Sequence, residues 1–159
     1  LQAMQAFMLG STAFVSWSAC AIMAIVCLTC TTGSVALARG LDGLALGEAT
    51  AKSLGLPLTT LRGALIGFLA LATGTAVAHT GLIAFVGLAA PHLVRAIVTV
   101  RYAWLLPLAT LMGALLLSLA DLFARGLIAP QELPVGVLTA MLGGGYLMWL
   151  MNRQSVAHE

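Results

Sequence analysis

The sequence predicts an all-α integral membrane protein, with five transmembrane helices and one short cytoplasmic helix, on three observations. Of its 159 residues 61% are hydrophobic and only 8% charged, with a mean hydropathy of +1.07. A water-soluble domain carries roughly a quarter charged residues, so this chain could not solvate a surface of its own. Apolar segments of spanning length recur along it, separated by short polar or Gly/Pro-bearing joints. The basic residues gather almost wholly on one side of those segments.

A helix needs about 20 residues to cross the hydrocarbon, or about 17 at the short end. On that basis spans are expected from about Thr12 to Ala38, Leu61 to Ala78, Leu82 to Val98, Trp104 to Phe123 and Val135 to Met151. The joints are short enough to make this one bundle without linker domains. With the spans alternating, Arg39, Lys52, Arg62, Arg95, Arg101 and Arg153 fall on one side and Arg125 alone on the other. Cytoplasmic loops collect lysine and arginine. The first joint, the Arg95–Arg101 joint and the C-terminus are therefore expected inside, with Leu1 to Ser11, His79 and Arg125 to Pro134 outside. The outside N-terminus, the start at Leu1 without methionine and the lack of a basic leader read as a fragment of something longer.

Several chemistries are excluded by residue type and spacing. A net charge of +2 with no basic run gives no footprint for nucleic acid. Gly143 to Gly145 lacks a following Lys and Ser/Thr, and the only lysine, Lys52, lacks a glycine-rich lead-in, so there is no ATP-hydrolysing loop. Cys20, Cys27 and Cys30 lie in one apolar stretch, where they read as small packing residues rather than redox groups. His92 has no second ligand at metal spacing, and neither a metal nor a cofactor is expected. The 17 glycines, for example Gly63 with Gly67 and Gly143 to Gly145, instead suit close helix packing in lipid.

Two stretches do not fit a purely greasy bundle. Leu44 to Pro57, "LALGEATAKSLGLP", is too short and polar to cross; Gly47 and Gly55 bracket about two helical turns, and Glu48 and Lys52 stand i,i+4. With Leu46, Ala49 and Leu54 as an apolar side, it reads as an amphipathic helix that lies either on lipid or in a groove of a cytoplasmic protein. Gly81 to Arg95, "GLIAFVGLAAPHLVR", carries Pro91 and His92 inside an oily run that ends on Arg95. Pro91 is expected to end or kink a short span, His92 to cap the helix or bond a freed carbonyl and Arg95 to reach the headgroups. At the outer end of the fourth span Asp121 and Arg125 stand i,i+4, placed for an ion pair.

The Gly81–Arg95 pattern, G-x-I-x-F-V-G-L-x-x-P-H-L-x-R, resembles the signature of FecCD-type permeases, ABC importer subunits for iron-siderophores, haem and cobalamin. Glu48, Ala49 and Gly55 are similar in spacing to the EAA loop of such permeases, and Leu106 to Gly144 continues in register, with E-L-P-x-G-x-x-T-A at Glu132 to Ala140. The resemblance covers residues 1–159 and matches the C-terminal half of a ten-helix permease fold. Phe7 in place of a usual Trp, His79-Thr80 in place of small residues or Pro, and Gly145 in place of a frequent Pro depart from the pattern.

The resemblance implies a permease subunit of an ATP-driven importer in the bacterial cytoplasmic membrane, working by alternating access on an iron(III)-siderophore or related chelate. It implies a cytoplasmic ATPase subunit docked on about residues 44–57, through Leu46, Gly47, Glu48, Ala49, Lys52, Ser53 and Gly55. It implies a gate near Pro91, His92 and Arg95, a substrate-binding protein met by Arg125 beside Asp121, and a second permease chain. A secondary transporter is the competing reading, against which stands the near absence of ionisable groups within the spans. A membrane enzyme would have to draw on His79, His92, Asp121 and Glu132, which divide between the two sides. A truncated product without activity of its own is the remaining alternative.

Overall fold

A computed structural model of the chain describes residues 8–12, 15–126 and 135–155, and every regular element among them is helical. Helix α1, Trp17–Ala36, opens on Ser16, whose hydroxyl accepts the Ala19 N–H at 3.2 Å. That bond satisfies one of the donors a helix start leaves open, and it sets the first span at Trp17 rather than Thr12. Leu37 then turns the chain into a separate helix, α2, Ala38–Ala45, where the sequence suggested only a joint. Gly47 at φ 107° starts α3, Glu48–Ser53, and Gly55 at φ 71° follows it. Both angles lie where a side chain is strained, so the two glycines bound the helix.

Helices α4, Leu58–Thr80, and α6, Tyr102–Gly126, join α1 as the three that are long and apolar enough to cross a membrane. At 1.5 Å per residue they measure about 30 to 37 Å, against a hydrocarbon core of about 30 Å. Trp17 and Trp104 are exposed at opposite ends of the bundle, where amphipathic rings favour the interface. Helix α7, Val135–Ser155, has 21 residues and is apolar over Val135–Tyr146.

The third expected span departs most from expectation. Gly81 to Phe85 is not helical, and α5 runs only from Val86 to Ile97, 12 residues or about 18 Å. Phe85, at φ 70°, is the only non-glycine in the left-handed region among the described residues. A methyl placed on Gly113, near the middle of α6, would sit 3.6 Å from a Val86 methyl and 3.7 Å from the Ala90 methyl. Helix α5 thus starts about halfway along the bundle, and the other half of that crossing is made by irregular, non-helical chain. Hydrocarbon tolerates such backbone only where protein surrounds it.

The surrounding protein is supplied by glycines. A Cβ on Gly136 would collide with the Leu9 carbonyl and approach the Leu82 carbonyl to 2.8 Å, and one on Gly143 would collide with Phe85. The Gly136 N–H reaches the Gly10 carbonyl at 3.4 Å, and the Ser11 N–H reaches the Thr80 carbonyl at 2.9 Å. Elsewhere Gly33 receives the Phe68 ring and Gly40 the Leu61 side chain. The pair singled out in the sequence, Gly63 and Gly67, touches nothing, as do Gly144 and Gly145. Spacing identifies a small-residue stripe without saying which stripe faces inward. The 132–134 part of the E-L-P motif and Phe7 lie outside the described residues.

These contacts order the two ends. Residues 9–12, 80–82, 121 and 136 meet at one end; α2, α3 and the starts of α4 and α6 meet at the other. Arg39, Lys52, Arg62 and Arg101 therefore share an end opposite to Arg125. Replacement of Gly136 by alanine is expected to cost about 1–3 kcal/mol, since backbone carbonyls cannot move aside as a side chain can. Gly144→Ala, in open space, should be neutral or slightly stabilising. Thermal unfolding in detergent checks both, and equal behaviour of the two variants would remove the close approach as a packing constraint.

Candidate functional site

At the end rich in basic residues, α3 projects from the bundle with Glu48 at its start. The Arg62 guanidinium donates to one Glu48 carboxylate oxygen at 2.9 Å, and the Lys52 ammonium stands 3.1 Å from the other. Hydrogen bonds from Arg62, then from Lys52, hold the Glu48 carboxyl below the usual carboxylate range. A depressed carboxyl contributes above its unfolded value and loses that contribution only as pH falls through the folded one. The pairing therefore persists throughout the neutral range. All three side chains are about half exposed or more, so the network orients α3 on α4 and adds little stability.

The apolar side of α3 differs from expectation. Ala51 is the residue fully buried against the bundle, while Leu46 and Leu54 are 70% and 63% exposed and Ala49 is exposed as well. The chain anchors this helix through its smallest side chain, because α3 has only six residues and must lie close to be held. The Leu56 N–H reaches back to the Ala51 carbonyl at 3.2 Å, and the Leu56 side chain packs on Gly43 of α2. Ser53 donates to the Thr50 carbonyl at 2.8 Å within its own helix. Two leucines on this charged-rimmed projection are thus left largely uncovered by the described residues.

Beside this projection lies a contact that the sequence did not reveal. Asp42 of α2 accepts the N–H of Tyr102, the first residue of α6, at 3.2 Å. Helix starts favour a carboxylate, yet the residue that precedes α6 is the cation Arg101. The cap comes instead from a different helix, and no local pattern announces it. The ring of the same tyrosine lies under the Arg95 guanidinium, 5.2 Å from its centroid, at the last turn of α5.

Of the two roles expected of Pro91, ending or kinking a short span, the first is not met. Helix α5 continues through Pro91 to Ile97 instead of ending there. Pro91 removes the bond that the Gly87 carbonyl would accept. It lines a cavity of about 570 Å³ among α1, α4, α5 and α6, with Thr31, Ser34, Phe68 and Thr110. His92 is exposed and makes no hydrogen bond among the described residues, so the carbonyl-bonding role is not realised. Arg95 is exposed and turned onto Tyr102. Among the described residues no three His, Cys, Asp or Glu side chains converge as a metal site.

Asp121 and Arg125 lie at the opposite end, where the Arg125 Nε donates to Asp121 at 2.9 Å. The other Asp121 oxygen accepts the Thr12 hydroxyl at 2.5 Å, a contact across the whole sequence that spacing could not show. Asp121 is thereby held, while the Arg125 side chain stays half exposed. The candidate residues thus form two groups: Leu46 to Gly55 with Arg95 at one end, and Asp121 with Arg125 at the other.

The chain is 43% identical over 147 residues to the hemin transport system permease protein of Yersinia pestis, covering 92% of this chain and 44% of that one. It is 40% identical over 153 residues to the vitamin B12 import system permease protein of Vibrio cholerae, covering 96% and 46%. With the Fe(3+) dicitrate transport system permease protein FecD of Escherichia coli it shares 46% identity over 120 residues, 76% of this chain and 38% of that one. A solved metal-chelate type ABC transporter in an inward-facing conformation superimposes with a TM-score of 0.89 at 32% identity, over 96% of this chain and 49% of that chain. The chain spans about half or less of the length of these relatives. The profile of the FecCD transport family matches residues 1–153, and the chain belongs to that family.

Proposed function

We propose that the chain forms the C-terminal half of a permease subunit that imports a metal chelate, of the iron-siderophore, haem or cobalamin class, at the expense of ATP hydrolysed by a separate cytoplasmic ATPase. The observation that carries the proposal is the projection around α3: a short helix seated on the bundle by Ala51 and oriented by the Glu48–Arg62 pair, with the flanking Leu46 and Leu54 exposed on either side of it. A pair of exposed leucines rimmed by Glu48 and Lys52 suits a groove on a soluble protein. Relatives that import hemin, Fe(3+) dicitrate and vitamin B12 support the chelate class, and do not select among its members.

In this reading α1, α4, α5, α6 and α7 together make the five crossings, α5 with its non-helical approach counting as one. The end that carries Lys52 and Arg62 faces the cytoplasm of a bacterial inner membrane, and Arg125 faces the substrate-binding protein. A second permease chain completes the path between the two subunits. The described carboxylates, Asp42, Glu48 and Asp121, all stand at bundle ends. A proton- or sodium-driven carrier would need one at mid-depth, which favours the ATP-driven reading.

Two outcomes are expected of the complete permease reconstituted with its ATPase and binding protein. Replacing Leu46 and Leu54 together by serine should weaken ATPase binding about tenfold or more, the scale of losing central interface anchors, with normal membrane insertion. Pull-down affinity and insertion measure this, and undiminished binding would refute the docking assignment. Arg125→Glu should lower chelate uptake several-fold at low binding-protein concentration, with ATPase docking intact, because rim charges govern encounter and orientation. Uptake equal to the wild type across that concentration range would discard the docking role of Arg125.

A further inference from the structure

The projection that meets the ATPase must pass its movement to helices that cross the membrane. Its ion pair to Arg62 reaches α4 through flexible, exposed side chains. A firmer route begins in α2, which packs on α3, on α1 and on the start of α6, with Ala38, Gly40 and Gly43 buried. From this helix Asp42 makes the bond to the Tyr102 N–H at 3.2 Å. The donor is one of those a helix start leaves open, and the α6 helix dipole reinforces its pull on a carboxylate. On its far side Tyr102 carries Arg95 of α5. Three helices thus meet at one residue: α2 at its amide, α5 at its ring and α6 through its own backbone.

Helix α6 is equipped to take up such a movement. Pro107 lies in its second turn and removes the bond to the Ala103 carbonyl, so the first turn is less tightly tied to the remainder. The same helix runs without interruption to Asp121 and Arg125 at the opposite end. We propose that Asp42 is the positioning residue through which displacement of the docking segment enters α6 and, by way of Tyr102, the half-length helix α5. This rests on the reading of residues 44–57 as the ATPase-docking segment.

The test uses the complete permease with its ATPase and binding protein in liposomes, where ATP hydrolysis, ATPase binding and chelate uptake are measured separately. Asp42→Ala should lower uptake per ATP hydrolysed by about tenfold, the scale of one charge-assisted hydrogen bond, while ATPase binding stays within about twofold of the wild type. Asp42→Asn should restore most of the coupling, because the amide oxygen still accepts the N–H. Tyr102→Pro and Tyr102→Leu both remove the ring, but only proline removes the donor, at a first helical position where proline is tolerated. The proline variant should therefore be the more uncoupled of the two, and this pair answers the question even if Asp42→Ala fails to fold. Unchanged uptake per ATP in Asp42→Ala, an Asn variant as defective as the Ala one, or equal Pro and Leu variants would each overturn the role of Asp42. A wild-type permease that does not bind the ATPase would instead refute the docking reading itself.

Discussion

Hydrocarbon offers a backbone amide or carbonyl no partner, and this one constraint governs how the chain is built. Three helices meet it in the usual way, by closing their bonds internally over about 30 Å or more. The stretch from Gly81 to Phe85 does not, and so it leans on other parts of the chain: Gly81 is buried and Ile83 and Phe85 are half-buried, while Leu82 and Ala84 stay exposed. Gly10, Gly136 and Gly143 make that possible by letting Leu9, Leu82 and Phe85 come against backbone with no side chain between. The strained Phe85 at the start of α5 is held in place by the same contacts.

Helix α5 is anchored at mid-depth by Val86 and Ala90 against α6, and at its other end by Arg95 on Tyr102. Both anchors are on α6, at Gly113 and at Tyr102. The cavity lined by Pro91 and Thr110 leaves room beside it. Helices α4 and α6, by contrast, run uninterrupted from one end of the bundle to the other.

Charge is confined to the ends by the same constraint. Each described carboxylate has a partner: Glu48 has Lys52 and Arg62, Asp121 has Arg125 and Thr12, and Asp42 has the Tyr102 amide. The Asp121–Arg125 pair is fixed by Thr12, which lies far away in the sequence. At the opposite end the partners link the projection and α2 to α4 and α6. Polar groups at both ends thus serve to join helices that apolar packing in lipid would hold only loosely.

By itself the sequence determined the class of the protein, because composition, span length and the one-sided distribution of basic residues depend only on how much of the chain lipid can accept. It also located the short helix at Glu48, since paired glycines bracket it and Lys52 follows at i,i+4, and it carried the motifs that place the chain in its family. Only the tertiary structure decided that Gly81 to Phe85 is non-helical, that Ala51 rather than Leu46 or Leu54 faces the bundle, and that Gly136 rather than Gly63 is the close contact. The hydropathy of an apolar irregular stretch and that of an apolar helix are the same, so composition does not separate them. The cap of α6 by Asp42 was equally hidden, because its two partners lie 60 residues apart and meet only when α2 has turned back against the bundle.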